Sequence, residues 1–557
     1  MRLANISWAV LASFGLMSGC VNADLLQSHA TTEPRPDCSA PEIETTSGKV
    51  CGLLVENSNR VHSYLGIPYA EAVSGDRRWT APTPAEKMPG TLQATSFGPV
   101  CPQPAKRTPF PQSEDCLSLN IWTPARSGAR RPVMVFIHGG AFFFGSSANP
   151  VYDGKVLAEK GDVVVVTLNY RLGALGFLAG IDGFEGNYGF LDQQLALRWV
   201  NENIAAFGGD PSKVTLFGES AGAMSTALHL TSATSRRYFR TAIMESNPYG
   251  LPYKSLAEAG RFGKRLRSSL GCSEGDTDCL RRRPANEVVK HESSLRLRMT
   301  SYLAGFSGQL AWSPVLDGKI LSKQPNQDRI VKSTIIGTNR DEGVIFAQEA
   351  RLGLLGRQIP RVEYRLVLKL LFSKPLAEKV EALDRYAPIE GDNTWQFSNV
   401  LTDYLFTCAN RHVMNRSNRP VYGYFFTHVP SYNIMPRDKL CAPDEDRVCH
   451  EMELPFVFGS QTTVTVENPP VKAEFSQGEK RLSQRLVDYW THFATTGTPN
   501  STRTPDWPRY RAGSQRVLVL SDPISRGRTT DANCAFWDTL GYDLPGLYDR
   551  LHEKTKE

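Results

Sequence analysis

The chain has 557 residues and a mass of 61.8 kDa, and its 63 Lys and Arg against 57 Asp and Glu leave a formal net charge of +6. Hydrophobic residues make up 41% of it and charged residues 22%, a globular balance that excludes intrinsic disorder and low-complexity or fibrous architectures. The densest basic run, Arg281–Arg283, is better interpreted as a solvated turn than as a nucleic-acid site, so no nucleic-acid partner is expected.

The N-terminus predicts an export signal followed by a short tether. Arg2 precedes a mostly apolar run, Ile6–Met17, whose length suits a secretory signal and is short for a membrane-spanning helix. The pattern that leads to Cys20 resembles the lipobox of bacterial lipoproteins, although Met17 departs from it. We expect a signal peptide over residues 1–19 and a tether over residues 20–40, lipidated at Cys20, as the one contact with a membrane. An ordinary cleaved signal with an incidental cysteine is the alternative.

Cysteine usage also indicates an oxidising compartment. Of the eleven cysteines, ten remain when Cys20 is set aside, an even number that is compatible with five disulfides. Proximity in the sequence suggests the pairs Cys38–Cys51, Cys101–Cys116, Cys272–Cys279 and Cys441–Cys449, which leaves Cys408 for Cys534. Other connectivities stay open at this point. Because the chain has no Cys-x-x-Cys or His-x-x-x-His pattern, no metal site is expected.

Apolar, β-branched runs alternate with helical stretches along the rest of the chain. A helix is predicted over Leu191–Phe207, ended by Gly208–Pro211. Such alternation predicts an α/β fold with a largely parallel sheet covered by helices on both faces. No linker is long enough to separate domains, so we expect one domain over residues 41–548 and a polar tail over residues 549–557. The predicted strands are Pro132–Ile137, Val163–Leu168, Lys213–Phe217, Ser333–Gly337 and Val421–Phe426.

A candidate nucleophile directly follows the third predicted strand. Gly218–Gly222 reads Gly-Glu-Ser-Ala-Gly, and a helix-like run, Ala223–Leu230, comes after it. In this strand–turn–helix setting the serine of Gly-x-Ser-x-Gly sits on a tight turn, and its hydroxyl projects clear of the sheet. The glycines allow close backbone approach, and the helix N-terminus brings N–H groups to the reaction centre. The motif predicts Ser220 as the nucleophile, with a purely structural turn as the alternative.

Several longer motifs together resemble the type-B carboxylesterase and cholinesterase family of α/β-hydrolases. The resemblance runs from about Gly48 to Leu544, almost the whole of the expected mature chain. It implies an α/β-hydrolase fold, hydrolysis of a small carboxylic ester by a serine nucleophile, and no cofactor. The segments that carry it are Gly66–Ala70, Glu114–Ile121, Asn187–Gln193, Phe207–Pro211, Phe217–Gly222 and Cys534–Trp537.

The resemblance also supplies the partners of the nucleophile. A serine hydroxyl needs a base, and the base needs a third group to orient it. The chain order in α/β-hydrolases is serine, acid, histidine, and the family motifs place the acid at Glu342 and the base at His450. Asp341 adjoins Glu342, and spacing alone does not separate the two, but the motif position favours Glu342. His229 is interpreted as a core or surface histidine.

The segment His138–Phe142 resembles the His-Gly-Gly-Gly oxyanion loop of the family, with alanine in place of its third glycine. The expected donors are the amides of Gly140 and Ala141, with Ala221 as the third. The added Cβ of Ala141 is expected to reduce the room for bulky acyl or tertiary-alcohol groups. In the implied mechanism the serine attacks the ester carbonyl, the histidine transfers the proton, and water hydrolyses the acyl-enzyme.

The substrate pocket is less well defined by the sequence. Phe142, Phe143 and Phe144 follow the oxyanion glycines, and we expect at least one to line the pocket and at least one to pack in the core. Cholinesterases bind a quaternary ammonium on a tryptophan in the loop closed by their first disulfide. The matching loop here, Cys101–Cys116, holds Phe110 and no tryptophan. A neutral, medium-sized or aromatic ester is therefore expected rather than a choline ester.

Two ion pairs, Arg78 with Glu114 and Arg171 with Asp192, occupy positions where the family carries buried pairs, and we expect them to brace the fold. Two other functions stay open. One is a non-enzymatic adhesion role on the same fold, and the other is a lipase that acts on aggregated lipid. The presence of the complete serine, acid and histidine set favours the carboxylesterase.

Overall fold

The apolar runs found in the sequence form the centre of a large β-sheet in the computed structural model of the protein. The structure describes residues 37–542 apart from 57, 59, 127, 129, 301–309, 354–357, 437, 465–472 and 530–531. All of the described residues belong to one compact unit. The expected signal peptide, most of the tether with Cys20, and the C-terminal tail lie outside the described residues. Among the described residues, no helix combines the length and apolarity that a membrane crossing requires.

The strands of the described chain are β1 Ile43–Thr45, β2 Gly48–Cys51, β3 Leu53–Leu54, β4 Val61–Pro68, β5 Thr91–Gln93, β6 Ser118–Pro124, β7 Arg131–Ile137, β8 Val164–Leu168, β9 Gly209–Glu219, β10 Thr241–Glu245, β11 Lys254–Ser255, β12 Val315–Leu316, β13 Thr334–Asn339, β14 Val421–Phe426, β15 Arg516–Leu520 and β16 Ser525–Arg528.

The α-helices are α1 Lys155–Gly161, α2 Gly173–Phe177, α3 Tyr188–Asn203, α4 Ala221–Thr231, α5 Ala233–Arg236, α6 Leu256–Ser269, α7 Thr277–Arg282, α8 Ala285–Thr300, α9 Val344–Gly353, α10 Arg361–Phe372, α11 Lys374–Glu381, α12 Thr394–Leu401, α13 Cys408–Asn415, α14 Leu454–Phe458, α15 Gln477–Thr496 and α16 Ala532–Leu540. A π-helical turn, Thr402–Thr407, joins α12 to α13. Short 3₁₀ turns cover Gly75–Arg77, Ala105–Arg107, Pro150–Tyr152, Pro325–Gln327, Asp384–Tyr386, Lys439–Cys441 and Pro443–Glu445.

The main sheet has the strand order β16-β15-β14-β13-β10-β9-β7-β8-β6-β4-β3 in the described chain. From β8 to β15 every neighbouring pair is parallel, whereas β6, β4 and β3 at one edge and β16 at the other pair antiparallel. The expected largely parallel sheet is confirmed, and all five predicted strands lie within it. Two short sheets, β1-β2-β5 and β11-β12, lie outside it.

Both faces of the central strands are buried, which explains why their sequences are continuously apolar. Successive side chains of β7 point to opposite faces of the sheet. Val133 and Val135 pack in one hydrophobic cluster, while Met134 and Phe136 pack in the other. In register, Val135 lies opposite Val166 of β8 on one side and Leu216 of β9 on the other. A strand in this setting has no polar face, so its ends alone are available for chemistry.

The predicted helix at Leu191–Phe207 is present but displaced. It begins at Tyr188 and ends at Asn203. The end is fixed by the side chain of Asn203, whose amide donates to the carbonyl of Trp199 at 2.9 Å and to the hydroxyl of Thr46 at 2.9 Å. A tertiary contact with a distant segment therefore ends the helix before the glycines do, which no local pattern indicates.

Five disulfides close loops within the described chain. They join Cys38 to Cys51, Cys101 to Cys116, Cys272 to Cys279, Cys408 to Cys534 and Cys441 to Cys449. Four of these are the pairs that proximity in the sequence suggests, and Cys408–Cys534 is the pair that then remains. The disulfide between Cys441 and Cys449 closes the loop directly before His450, and so helps to fix the position of that side chain.

Candidate active site

Ser220 lies at the sharp turn between β9 and α4. Its backbone angles are φ 54° and ψ −118°, a conformation that is uncommon for a residue with a side chain. The turn is held because the Ser220 amide donates to the carbonyl of Glu245 at 3.0 Å. A Cβ on Gly222 would lie 1.9 Å from the carbonyl oxygen of Ile137, and one on Gly218 would lie 2.5 Å from Gly222. Both glycines are therefore required by close packing of the backbone.

His450 and Glu342 are brought together from segments more than one hundred residues apart. The Nδ1–H of His450 donates to Glu342 Oε2 at 2.5 Å. The other carboxylate oxygen of Glu342 accepts from the amide of Asn339 at 2.7 Å, and the side chain is fully buried. Asp341 lies apart from this contact and pairs with Arg340 at 2.8 Å and Arg447 at 3.1 Å. The geometry separates the two adjacent carboxylates that sequence spacing does not.

The imidazole of His450 is buried, and its second nitrogen faces Glu219, the residue before Ser220. His450 Nε2 lies 3.0 Å from Glu219 Oε1, and within the described chain no hydrogen bond joins it to Ser220. Burial opposes the charged imidazole, but the carboxylates of Glu219 and Glu342 outweigh it and raise the pKa of His450 above its usual value. Serine–histidine contacts of resting enzymes are often loose and tighten only when substrate is bound.

The loop after β7 lies against Ser220. A Cβ on Gly139 would lie 3.3 Å from the Cβ of Ser220. The loop turns back on itself because Gly140 O accepts from the amides of Phe143 at 2.9 Å and Phe144 at 3.1 Å. This arrangement fixes the direction of the amides that follow Gly139.

Three amide groups near Ser220 are free to donate. Within the described chain, the N–H groups of Gly140, Ala141 and Ala221 make no hydrogen bond. Gly140 has φ +98° and Ala141 has φ 53°, conformations that turn successive amides away from the regular pairing of the sheet. Ala221 is the first residue of α4, where backbone N–H groups have no partner within the helix. Free donors beside a serine are what an oxyanion requires.

Buried carboxyl groups surround His450. Burial raises the pKa of Glu219 to about 7, that of Glu453 to about 7 and that of Glu451 to about 8. Glu453 accepts from Asn339 Nδ2 at 2.6 Å. With several carboxyl groups so close together, the cluster retains protons at neutral pH, which limits the negative charge around the imidazole.

The three phenylalanines of the oxyanion loop have different surroundings. Phe142 is fully buried and packs edge-on against Phe177, with ring centroids 5.3 Å apart, so it is the core residue expected among the three. Phe143 is 7% exposed, and Phe144 is partly exposed. The guanidinium of Arg107 lies 4.7 Å from the ring centroid of Phe144. The Cys101–Cys116 loop thus brings a cation to the ring of Phe144.

Both expected ion pairs are present; Arg171–Asp192 is buried on both sides, whereas Glu114 of the other pair is partly exposed. Arg171 binds both carboxylate oxygens of Asp192, at 2.8 and 2.7 Å, and Arg78 binds both oxygens of Glu114, at 2.7 and 2.6 Å. The first pair joins the segment after β8 to α3, and the second joins the chain before β5 to the segment before β6.

Glu219, Glu245, Glu451 and Glu453 were not singled out from the sequence, although each lies at or near the site. Two of them carry a signal that could have found them, because Glu219 adjoins the predicted nucleophile and Glu451 adjoins the predicted base. If Ser220 and His450 come together to react, the residues next to them in the chain also lie near each other. Glu245 accepts from the indole N–H of Trp490 at 2.7 Å, a partnership that only the fold reveals.

Comparison with known proteins identifies the family of the chain. Residues 39–537 match the model of the carboxylesterase family. The para-nitrobenzyl esterase of Bacillus subtilis (strain 168) is 37% identical over 500 residues, which cover 87% of this chain and 95% of that protein. A protein of Dictyostelium discoideum named crystal protein is 34% identical over 531 residues, 90% of this chain and 91% of its own. A solved structure of a thermophilic PNB esterase superposes with a TM-score of 0.76 at 35% identity and covers 89% of this chain and 99% of its own.

Proposed function

The chain belongs to the carboxylesterase family and is a serine hydrolase of carboxylic esters, and we propose that Ser220, His450 and Glu342 are its nucleophile, base and orienting acid. The observation that carries this assignment is the contact of His450 Nδ1 with Glu342 at 2.5 Å, with Nε2 facing the turn that holds Ser220, 3.0 Å from Glu219 Oε1. Glu342 keeps the imidazole in the tautomer whose Nε2 accepts a proton. The complete set argues against a purely adhesive role.

The reaction follows from this arrangement. Ser220 Oγ attacks the ester carbonyl as its proton passes to His450 Nε2. The negative oxygen of the tetrahedral intermediate is stabilised by the amides of Gly140, Ala141 and Ala221. His450 then protonates the leaving alcohol, and a water molecule activated by the same nitrogen hydrolyses the acyl-enzyme.

The proposed substrates are neutral esters with an aromatic or medium-sized apolar group. Aromatic rings flank the base, since the ring centroids of Phe346 and Phe406 lie 5.3 and 5.2 Å from that of His450. Phe143 and the partly exposed ring of Phe144 supply further apolar surface near the oxyanion loop. The para-nitrobenzyl ester named for the relative fits this class. The Cys101–Cys116 loop holds no tryptophan on which a cationic alcohol such as choline could stack.

We place the enzyme outside the cytoplasm, as one domain over residues 41–548, anchored through a lipid on Cys20 or secreted freely. The five disulfides support export because such bonds persist in oxidising compartments. Labelling of cells with radioactive palmitate tests the anchor. Label that is lost in Cys20→Ser supports lipidation, and equal label in both forms contradicts it.

Hydrolysis of a chain-length series of p-nitrophenyl esters, with emulsified triglyceride beside it, tests the assignment of function. We expect turnover of short and medium chains, little action on the emulsion, and a loss of at least about 10⁴-fold in kcat for Ser220→Ala. Ser212→Ala, an exposed serine at the far end of the same strand, is the matched control and should retain full activity. Preference for the emulsion would favour a lipase, and activity that survives in Ser220→Ala would remove Ser220 as the nucleophile.

A further inference from the structure

We propose that Glu219, His450 and Glu451 form a binding site for a divalent transition-metal ion of the zinc class, and that an ion bound there switches the esterase off. Their ligand atoms all lie within 4.8 Å of one another, and His450 Nε2 already lies 3.0 Å from Glu219 Oε1. Zinc bonds of about 2.0 to 2.2 Å place tetrahedral ligands about 3.3 Å apart. A modest side-chain adjustment of Glu451 therefore completes a three-ligand site.

Two of the three side chains face each other and carry buried polar atoms with no further partner. Apart from their mutual contact of 3.0 Å, the carboxylate oxygens of Glu219 and the Nε2 atom of His450 make no hydrogen bond within the described chain, and their side chains are 0% and 2% exposed. Buried polar atoms are almost always satisfied, since leaving them unpaired costs free energy. A cation between them would satisfy all three atoms at once. Glu451, which is partly exposed, gives the ion a route from solvent.

The surroundings of His450 resemble those of a metal-binding histidine. Glu342 accepts the proton of Nδ1 at 2.5 Å, which fixes the ring with Nε2 facing Glu219. A carboxylate behind a histidine is the usual support of a zinc ligand, because it orients the ring and increases its basicity. One imidazole and two carboxylates suit Zn²⁺, Cu²⁺ or Ni²⁺, whereas Mg²⁺ and Ca²⁺ prefer sites made of oxygen alone.

Inhibition is expected because the metal ion and the proton of Ser220 would bind the same atom, Nε2 of His450. The inference rests on the proposed role of His450, whose Nε2 must accept the proton of Ser220. A metal ion on Nε2 occupies the lone pair that takes this proton, so nucleophilic attack stops while the ion is bound. Removal of the ion by a chelator returns the base, and the inhibition is reversible.

The first experiment measures ester hydrolysis during titration with zinc chloride, and then with magnesium chloride as the hard-cation control. We expect zinc to inhibit, chelator to restore the rate, and magnesium to have no effect at the same concentrations. Glu451→Gln, which keeps the shape of the side chain but removes its charge, should raise the inhibition constant for zinc at least about tenfold relative to its own metal-free rate. Glu451→Gly repeats the test with a residue suited to the φ of +73° at this position.

Calorimetric titration of Ser220→Ala with zinc separates the metal site from the esterase assignment, because binding is read without turnover. One zinc per chain is expected, with affinity at least about tenfold weaker when Glu451→Gln is added. Glu185→Gln, a surface carboxylate whose side chain is 69% exposed, is the matched control and should leave binding unchanged. Equal zinc affinity with and without Glu451, or tight binding of one ion that leaves hydrolysis unaffected, would overturn the proposal.

Discussion

Replacement of Gly140 by alanine should disable the oxyanion loop while leaving the rest of the fold intact. The added Cβ would lie 2.1 Å from the carbonyl oxygen of Phe144 and 2.7 Å from its carbonyl carbon. No side-chain rotation relieves this clash, because both contacts are with backbone. The φ of +98° at Gly140 is also unfavourable for alanine. The loop must therefore open, and the amide of Gly140 leaves its position beside Ser220.

The size of the effect follows from the loss of one donor. Removal of a single oxyanion hydrogen bond typically raises the barrier by about 3 to 4 kcal/mol, which corresponds to a fall of about 10²- to 10³-fold in kcat. The binding of substrate before reaction is affected less, so KM should change by less than about threefold. The assay is steady-state hydrolysis of p-nitrophenyl acetate, with the active fraction counted by titration with an organophosphate.

Gly183→Ala is the matched control for this prediction. Gly183 has a similar positive φ of +80°, but a Cβ there meets nothing within 4 Å. It carries the same backbone cost of about 1 kcal/mol without the clash, so stability should fall slightly and kcat should not change. If folded Gly140→Ala loses less than tenfold in kcat, the loop is not the oxyanion hole and the reasoning fails.

Three further predictions concern stability and specificity. Asp192→Asn leaves the guanidinium of Arg171 buried and unpaired, so the free energy of unfolding in urea should fall by about 3 to 5 kcal/mol; a loss below 1 kcal/mol would contradict this. Burial lowers the pKa of His229 to about 3 from 6.5, so the unfolded chain binds the extra proton and stability falls as pH drops below 6.5. Between pH 6.5 and 4.5 the free energy of unfolding of His229→Gln should fall by about 2 kcal/mol less than that of the parent protein. Equal falls in the two proteins would show that the pKa of His229 is not lowered by burial. Ala141→Gly should raise the rate on tert-butyl acetate relative to n-butyl acetate about fivefold, as expected from about 1 kcal/mol of relieved crowding; an unchanged ratio would show that the Cβ does not limit the pocket.

Much of the fold was predictable because the central strands are buried on both faces. The strand Val421–Phe426 has the bounds that its apolar run predicts. The antiparallel edge was not predicted, since β4 mixes polar and apolar residues and includes Gly66, whose φ of +71° breaks its regular pairing. Its place depends on pairing with β6, a contact that has no local signal.

The candidate site likewise contains residues that local motifs predict and residues that only the fold brings together. Ser220 and the oxyanion loop are encoded by short continuous motifs, so the sequence indicates them directly. Assigning Glu342 rather than Asp341 depended on a family motif, and the 2.5 Å contact with His450 is visible only in three dimensions. Spacing alone does not bring Glu219 and Glu451 together, because they lie more than two hundred residues apart, and the one available signal is that each adjoins a residue predicted to be catalytic.

Covalent labelling of the folded protein tests the central claim most directly. The protein is treated with a fluorophosphonate, digested and analysed by mass spectrometry, with Ser220→Ala in parallel. The account predicts one adduct per chain, on the peptide that contains Ser220, complete loss of ester hydrolysis on labelling, and no adduct in Ser220→Ala. An adduct on a different residue, or hydrolysis that persists after Ser220 is fully labelled, would contradict it.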